Sequence, residues 1–243
     1  MKRPFLTARW SHLILITYSV PASLLQDRLA PGLSLDTIDG QAFVSLVGFE
    51  FLETRVLGVS WPGYRNFAEL NLRFYVRHGA DRGVMFVREF VPQHLAAWIA
   101  RVIYNEPYKA APLEGSVLKN ESGITVEYRL RFAGKTHKLS ATSRKPPHLP
   151  PPESVEHFFK EHRWGFGKSR SGNTTRYEVA HPAWDVYPVD HYHVDLDWAS
   201  VYGPEWKILD GAEPYSIVLA AGSPVAVYMH TAATSDGELE GRT

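Results

Sequence analysis

Glu69-Leu70-Asn71-Leu72-Arg73-Phe74-Tyr75-Val76-Arg77 alternates without a break between apolar residues at its even positions and polar or hydroxyl-bearing ones at its odd positions. Successive side chains of a strand point to opposite faces, so this is a strand with one apolar and one polar face. In an open antiparallel sheet the polar face meets water. In a small closed barrel alternate residues point inward, and Glu69, Asn71 and Arg73 would then line a solvated ligand pocket. The nine residues leave that choice open.

The flanking sequence supplies more strands. Asp81-Arg82-Gly83 turns the chain into residues 84–87, a hairpin partner. Upstream, Asp39-Gly40 precedes the almost continuously apolar residues 42–51, as in a central strand, and residues 13–18 are rich in β-branched residues. Between these two runs Pro21 and Ser23 open a short helix with Leu24, Leu25 and Leu29 on one face, stopped by Pro31-Gly32. Farther on, residues 124–132 alternate and turn at Ala133-Gly134-Lys135 into 136–142. Residues 176–179 form another strand, and 216–221 are expected to pair with 225–229 across Gly222-Ser223-Pro224.

Helices are fewer. From Pro92, Leu95, Trp98, Ile99, Val102 and Ile103 recur at helical spacing until Pro107 ends the pattern. Residues 154–162 form a second helix with Val155, Phe158 and Phe159 inward. The Pro-rich residues 145–152 read as a stiff internal crossover. The expected class is α+β, mainly antiparallel β, with one domain over residues 1–230 and a small, polar, disordered tail over 231–243.

Composition narrows the partners. The 243 residues carry 26 Lys plus Arg and 26 Asp plus Glu, so no net field draws the chain to nucleic acid or an anionic membrane. The absence of cysteine excludes disulfides, thiolate zinc sites and cysteine nucleophiles, and fits a reducing cytoplasm. No stretch approaches the ~20 apolar residues needed to span a bilayer. The expectation is a cytoplasmic protein with a small organic ligand and no cofactor, its assembly into a homo-oligomer left open.

Three further groups of residues carry a family likeness. They are Asn66-Phe67-Ala68-Glu69-Leu70-Asn71-Leu72-Arg73 with Tyr75-Val76; Ala100-Arg101 followed by Tyr104 and Pro107-Tyr108; and Phe158-Phe159 with His181-Pro182-Ala183-Trp184. Over most of residues 5–230 the chain resembles the bacterial YqjF-like family of uncharacterised function, related to acetoacetate decarboxylase. The resemblance implies a cone-shaped, closed antiparallel barrel around a cavity, with flanking helices. On that fold the polar face of 69–77 becomes pocket lining.

It also implies a site. In the decarboxylase relatives a Schiff-base lysine follows an Arg and a Pro, and a second lysine directly after it depresses the first one's pKa, a well-known case of an activated amine. Arg101 and Pro107 match that pattern, which puts Tyr108 at the reactive position and Lys109 at its neighbour's. In an extended segment Tyr108 then enters the cavity and Lys109 points away, without the paired cation that activates such an amine. Glu69 corresponds to a pocket glutamate of the relatives, while their second glutamate has no counterpart among Val44, Ser45 and Leu46. The candidate catalytic residues are therefore Lys109, Tyr108 and Glu69. Asn71, Arg73, Arg101, Arg9 and His12 are the candidate ligand-binding residues, Arg9 or His12 standing for a basic residue near the relatives' N-terminal strand.

The expected function is binding of a small carbonyl or carboxylate compound, or non-decarboxylating chemistry on one. The alternative is a Schiff-base lyase using Lys109. Bland readings stand beside both: Glu69 and Arg73 as a ligand-free ion pair, and Tyr108 as a core aromatic. A weaker alternative is metal binding, because His191, His193, Asp195 and Asp197 share one face of a strand; the other face is apolar, as in any strand with one wet side. His181-Pro182-Ala183-Trp184 reads as a turn and a core anchor.

Overall fold

A computed structural model describes residues 3–92, 107–121 and 123–233. The helix expected from Pro92 and the candidate Arg101 lie outside the described residues, as does most of the expected tail. The chain runs through β1 (Leu6–Val20), α1 (Ser23–Gln26), β2 (Ser34–Leu35), β3 (Ala42–Val56), β4 (Phe67–His78), β5 (Asp81–Val91), β6 (Tyr108–Ala110) and β7 (Leu113–Asn120). It continues through β8 (Gly123–Phe132), β9 (Lys135–Ser143), α2 (Val155–Lys160), β10 (Trp164–Lys168), β11 (Thr174–Ala180), β12 (Val186–Tyr187) and β13 (His191–Asp195). After α3 (Trp198–Tyr202) and a 3-10 turn (Pro204–Leu209) come β14 (Ser216–Val227) and β15 (Thr231–Ala232). The class is α+β and mainly antiparallel, as expected. Thr231 and Ala232, expected in the tail, instead pair with Arg176 and Thr175.

The main sheet runs β12-β14-β1-β3-β4-β5-β10-β11-β15, and β11 also pairs with β14. That last pairing joins seven strands, β14, β1, β3, β4, β5, β10 and β11, into a closed ring. The closure is narrow: β10 meets β5 only at Trp164↔Gly83 and Gly165↔Val84, and β11 meets β14 only at Val179↔Val227 and Ala180↔Ala226. Beyond the reach of β10, β6 takes over the free edge of β5 in parallel, setting Tyr108 opposite Glu89.

Residues 216–229 do not form the expected hairpin. Residues 216–227 are one strand that lies along β1, with Ser223 opposite Trp10 and Pro224 opposite Arg9. Gly222 at φ 80° lets the strand bend instead of reversing, since a Cβ there would sit 2.1 Å from the Trp10 carbonyl oxygen. On β1 the bend meets an irregularity between Ser11 and Ile14, where His12 has a φ of 54°.

A second antiparallel sheet, β13-β9-β8-β7, covers one outer flank of the ring. The even residues of β4, Leu70, Leu72, Phe74 and Val76, join Ile124, Val126, Tyr128, Leu130 and Leu139 in the largest apolar cluster. Each fully buried side chain of this kind contributes roughly 1.5–3 kcal/mol. The 133–134 turn between β8 and β9 is as read from sequence, and Ser154 caps α2 by accepting from the His157 N–H.

Inside the ring, two smaller apolar clusters leave a polar gap. Leu13, Leu15, Val47, Phe49, Phe51 and Trp184 fill one region, with Phe67 packed against them. Phe43, Tyr75, Val84 and Phe159 fill the other. Between Phe67 and Tyr75, β4 turns Glu69, Asn71 and Arg73 toward the space left over.

Candidate functional site

That space is a cavity of about 450 Å³ whose walls include Glu69, Asn71, Arg73, Glu89, Tyr108, Lys160 and His162. Alternation along β4 places the first three. Asn71 faces Glu89 of β5 in register, and Glu89 faces Tyr108 of β6, so three adjacent strands bring their polar groups together.

Glu69 is buried and receives donors on both oxygens: Asn71 Nδ2 donates to Oε1 at 2.9 Å, and Tyr108 Oη donates to Oε2 at 3.2 Å. Glu89, also buried, is within hydrogen-bonding reach of both Glu69 and Tyr108. Two carboxyl groups can share such a bond only if one of them carries a proton. Burial accordingly raises the Glu69 pKa to about 7, against the opposing pull of its hydrogen bonds and of the Arg73 charge. Burial, and then the charges of Glu69 and Glu89, hold the Tyr108 phenol well above its ordinary range, so it remains a donor.

The opposite wall is basic. Arg73 Nη2 donates to the Phe159 carbonyl oxygen at 2.9 Å, while its Nε is buried without a protein partner. His162 is 8% exposed, and neither ring nitrogen has a partner. Burial, then the charges of Arg73 and Arg82, push its pKa well below the usual value and keep the ring neutral. Lys160, at the end of α2, is buried with its ammonium against Glu161. Glu161 also accepts the Trp184 backbone N–H at 3.2 Å. His181 stacks on Trp184 with ring centroids 4.2 Å apart, and both rings line the cavity. The turn and core anchor expected there are thus also cavity wall.

Glu69, Asn71, Arg73 and Tyr108 come together. Lys109 does not: it is exposed, its ammonium lying 4.7 Å from the centroid of the Phe132 ring, because adjacent residues of β6 face opposite ways. Arg9 is exposed for the same reason, and Trp10 takes the inward position on β1. His12, at the irregularity of β1, turns its ring to Glu50 Oε2 at 3.0 Å instead of to the cavity. His191 and His193 lie on an exposed face. Asp197 is held by Lys135 at 2.6 Å and caps α3 through the Ser200 N–H. Among the described residues no group of three or more His, Cys, Asp or Glu side chains is arranged to hold a metal ion.

Glu89, Lys160 and His162 escape the sequence reading. A register shift of β5 against β4, where Leu72 faces Arg88 and Arg73 faces Phe86, moves the inward set from Val84 and Phe86 to Glu89 and Val91. Strict alternation from Val84 therefore misses Glu89. Lys160 and His162 follow the apolar Phe158-Phe159 pair, and only the charge at the end of an inward-facing helix hinted at them.

Residues 7–224 match DUF2071, described as an uncharacterized conserved protein family. The chain belongs to this family. A 121-residue segment is 32% identical to the uncharacterized protein YqjF of Bacillus subtilis (strain 168), spanning 49% of this chain and about half of that relative, 48% of its length. The DUF2071 chain also superposes on acetoacetate decarboxylase from Legionella pneumophila with a TM-score of 0.66 at 14% identity, over 97% of this chain and 89% of that one. An acetoacetate decarboxylase-like enzyme from Sphingomonas wittichii RW1 gives 0.66 at 12% identity, over 96% and 94%. The enduracididine biosynthesis enzyme MppR, in complex with pyruvate, gives 0.66 at 13%, over 97% and 92%. At these identities the likeness is one of fold, that of the acetoacetate decarboxylase-like enzymes. No helix of the described residues is long and apolar enough to cross a membrane.

Proposed function

We propose that the cavity binds a small carbonyl compound bearing a carboxylate and catalyses proton transfer next to the carbonyl, without a Schiff base. One observation carries this reading. The position facing the cavity is Tyr108, bonded to a glutamate whose pKa lies near 7, while the adjacent lysine points out. A phenol is no nucleophile toward a ketone at neutral pH, but with the Glu69–Glu89 pair it offers both halves of acid/base catalysis.

In this scheme the ligand's carboxylate meets Arg73 by charge-assisted hydrogen bonds. Its carbonyl oxygen accepts from Tyr108 as negative charge develops there. The ionised carboxylate of the pair takes a proton from the α-carbon, leaving an enolate, and returns it to the same carbon. A group with a pKa near 7 is poised for this at neutral pH. That a protein of the same fold holds pyruvate supports the ligand class.

The test is loss of α-protons from pyruvate in deuterium oxide, followed by proton NMR. Wild type should exchange them, Glu69→Gln should slow exchange by at least about a hundredfold, in the range of general-base losses, and Lys109→Ala should match wild type. Borohydride reduction in the presence of pyruvate or β-keto acids should leave the protein's mass unchanged. A reduced adduct on Lys109 or Lys160 would sink the reading.

A further inference from the structure

The volume and the lining of the cavity say more about the occupant than its acid/base cluster does. Pyruvate has six heavy atoms; even at ~30 Å³ for each, the share of a water in the liquid, it fills well under half of the space. A cavity of about 450 Å³ is instead of the size that encloses a drug-sized molecule.

The surplus volume lies on the Phe67 side of Glu69 and is aromatic. Trp10, Phe49, Phe51, Trp61 and Phe67 line it, Phe51 and Phe67 being stacked with centroids 4.7 Å apart. Trp61 and Leu57 line the cavity yet are 58% and 60% exposed, which marks this side as the mouth.

Trp10 and Thr54, both lining the cavity, each carry an unmatched polar atom. Trp10 Nε1 and Thr54 Oγ1 are buried and have no hydrogen-bond partner in the protein. Trp10 faces Phe51 across the β1/β3 ladder, and Thr54 lies three residues further along the same strand. A buried indole N–H is a donor only, and leaving it unmatched is costly. At the far side, Arg73 Nε and both nitrogens of His162 are buried and unmatched as well. Unmatched groups thus occur toward both ends of the cavity, with Asn71 Oδ1 unmatched between them.

We infer that the occupant is a carboxylic acid with an aromatic tail, the tail bearing a hydrogen-bond-accepting substituent that meets Trp10 and Thr54 while the carboxylate meets Arg73 and His162. This rests on the reading that Arg73 receives the carboxylate. It adds the identity of the tail.

Titration calorimetry with pyruvate, phenylpyruvate and 4-hydroxyphenylpyruvate tests it on wild type, Trp10→Phe, Arg73→Ala and Arg73→Gln, each first checked for cooperative thermal unfolding. In wild type, phenylpyruvate should bind at least about tenfold tighter than pyruvate, for burial of one ring, and the hydroxylated compound about fivefold tighter again, for one hydrogen bond. Trp10→Phe should erase only the second step, and the Arg73 variants should weaken all three ligands alike. Equal binding of pyruvate and phenylpyruvate, with loss on changing Arg73, overturns the tail and leaves the carboxylate site standing. A hydroxyl preference that survives Trp10→Phe overturns the role of the indole. Absence of binding by all three overturns both.

Discussion

The Tyr108 hydroxyl donates to Glu69 Oε2 at 3.2 Å, from a strand that follows β4 by thirty residues of sequence. Because a hydrogen bond to the ionised form lowers a carboxyl pKa, Tyr108→Phe should raise the Glu69 pKa above about 7. The acid limb of the exchange rate against pH should move to higher pH in the variant, with the thermal midpoint near that of wild type. An unmoved limb would place the essential base elsewhere.

The same glutamate makes stability depend on pH. Its pKa is raised from 4.5 to about 7 on folding, so the folded protein holds that proton more tightly than the unfolded chain does. The resulting stabilisation is full below pH 4.5 and disappears as pH rises through 7, on the order of 3 kcal/mol at most. Wild type should lose stability relative to Glu69→Gln between these pH values in urea titrations. Parallel curves for the two proteins would contradict the buried acid.

Lys160 is a buried ammonium that contacts Glu161. Removing one member of such a pair leaves an uncompensated buried charge, typically at a cost of 3–5 kcal/mol, whereas replacing both costs far less. Glu161→Gln should therefore destabilise strongly, and Lys160→Met with Glu161→Gln should recover most of the loss. A double variant no more stable than the single one would mean the pair is not coupled.

Gly48 fixes the distance between the ring and the outer sheet. A Cβ there would lie 2.6 Å from the Tyr128 ring and 3.1 Å from Leu139. Gly48→Ala should cost about 1–3 kcal/mol, as overpacking does, and should disturb the Tyr128 hydroxyl's 2.8 Å bond to the His12 carbonyl. Denaturant unfolding measures the first effect and tyrosine near-ultraviolet circular dichroism the second.

Local alternation made much of this molecule legible. The period of two in residues 69–77 assigns Glu69, Asn71 and Arg73 to one face, and the same rule separates Tyr108 from Lys109. It fails where the chain departs from ideal strands. The irregularity at His12 turns that ring away from the cavity, and the register shift opposite Leu72 hides Glu89. The continuous β14 looked like a hairpin because Gly222-Ser223-Pro224 has turn chemistry, and only pairing with β1, two hundred residues away, keeps it from reversing. Lys160 and His162 become cavity wall through the packing of α2 against the ring, which no local pattern encodes.

The β10–β11 hairpin carries Trp164, Gly165, Tyr177 and Val179 on the cavity wall, yet only two residue pairs bind it to β5 and two to β14. It is a panel set between two short seams. Beyond those ladder bonds the panel is anchored by Phe166, fully buried in the large apolar cluster, and by the Arg176–Asp81 ion pair at 2.7 Å. Amide protons of these two short seams should therefore exchange with solvent sooner than those of β3 and β4, whose shared ladder runs eight residue pairs.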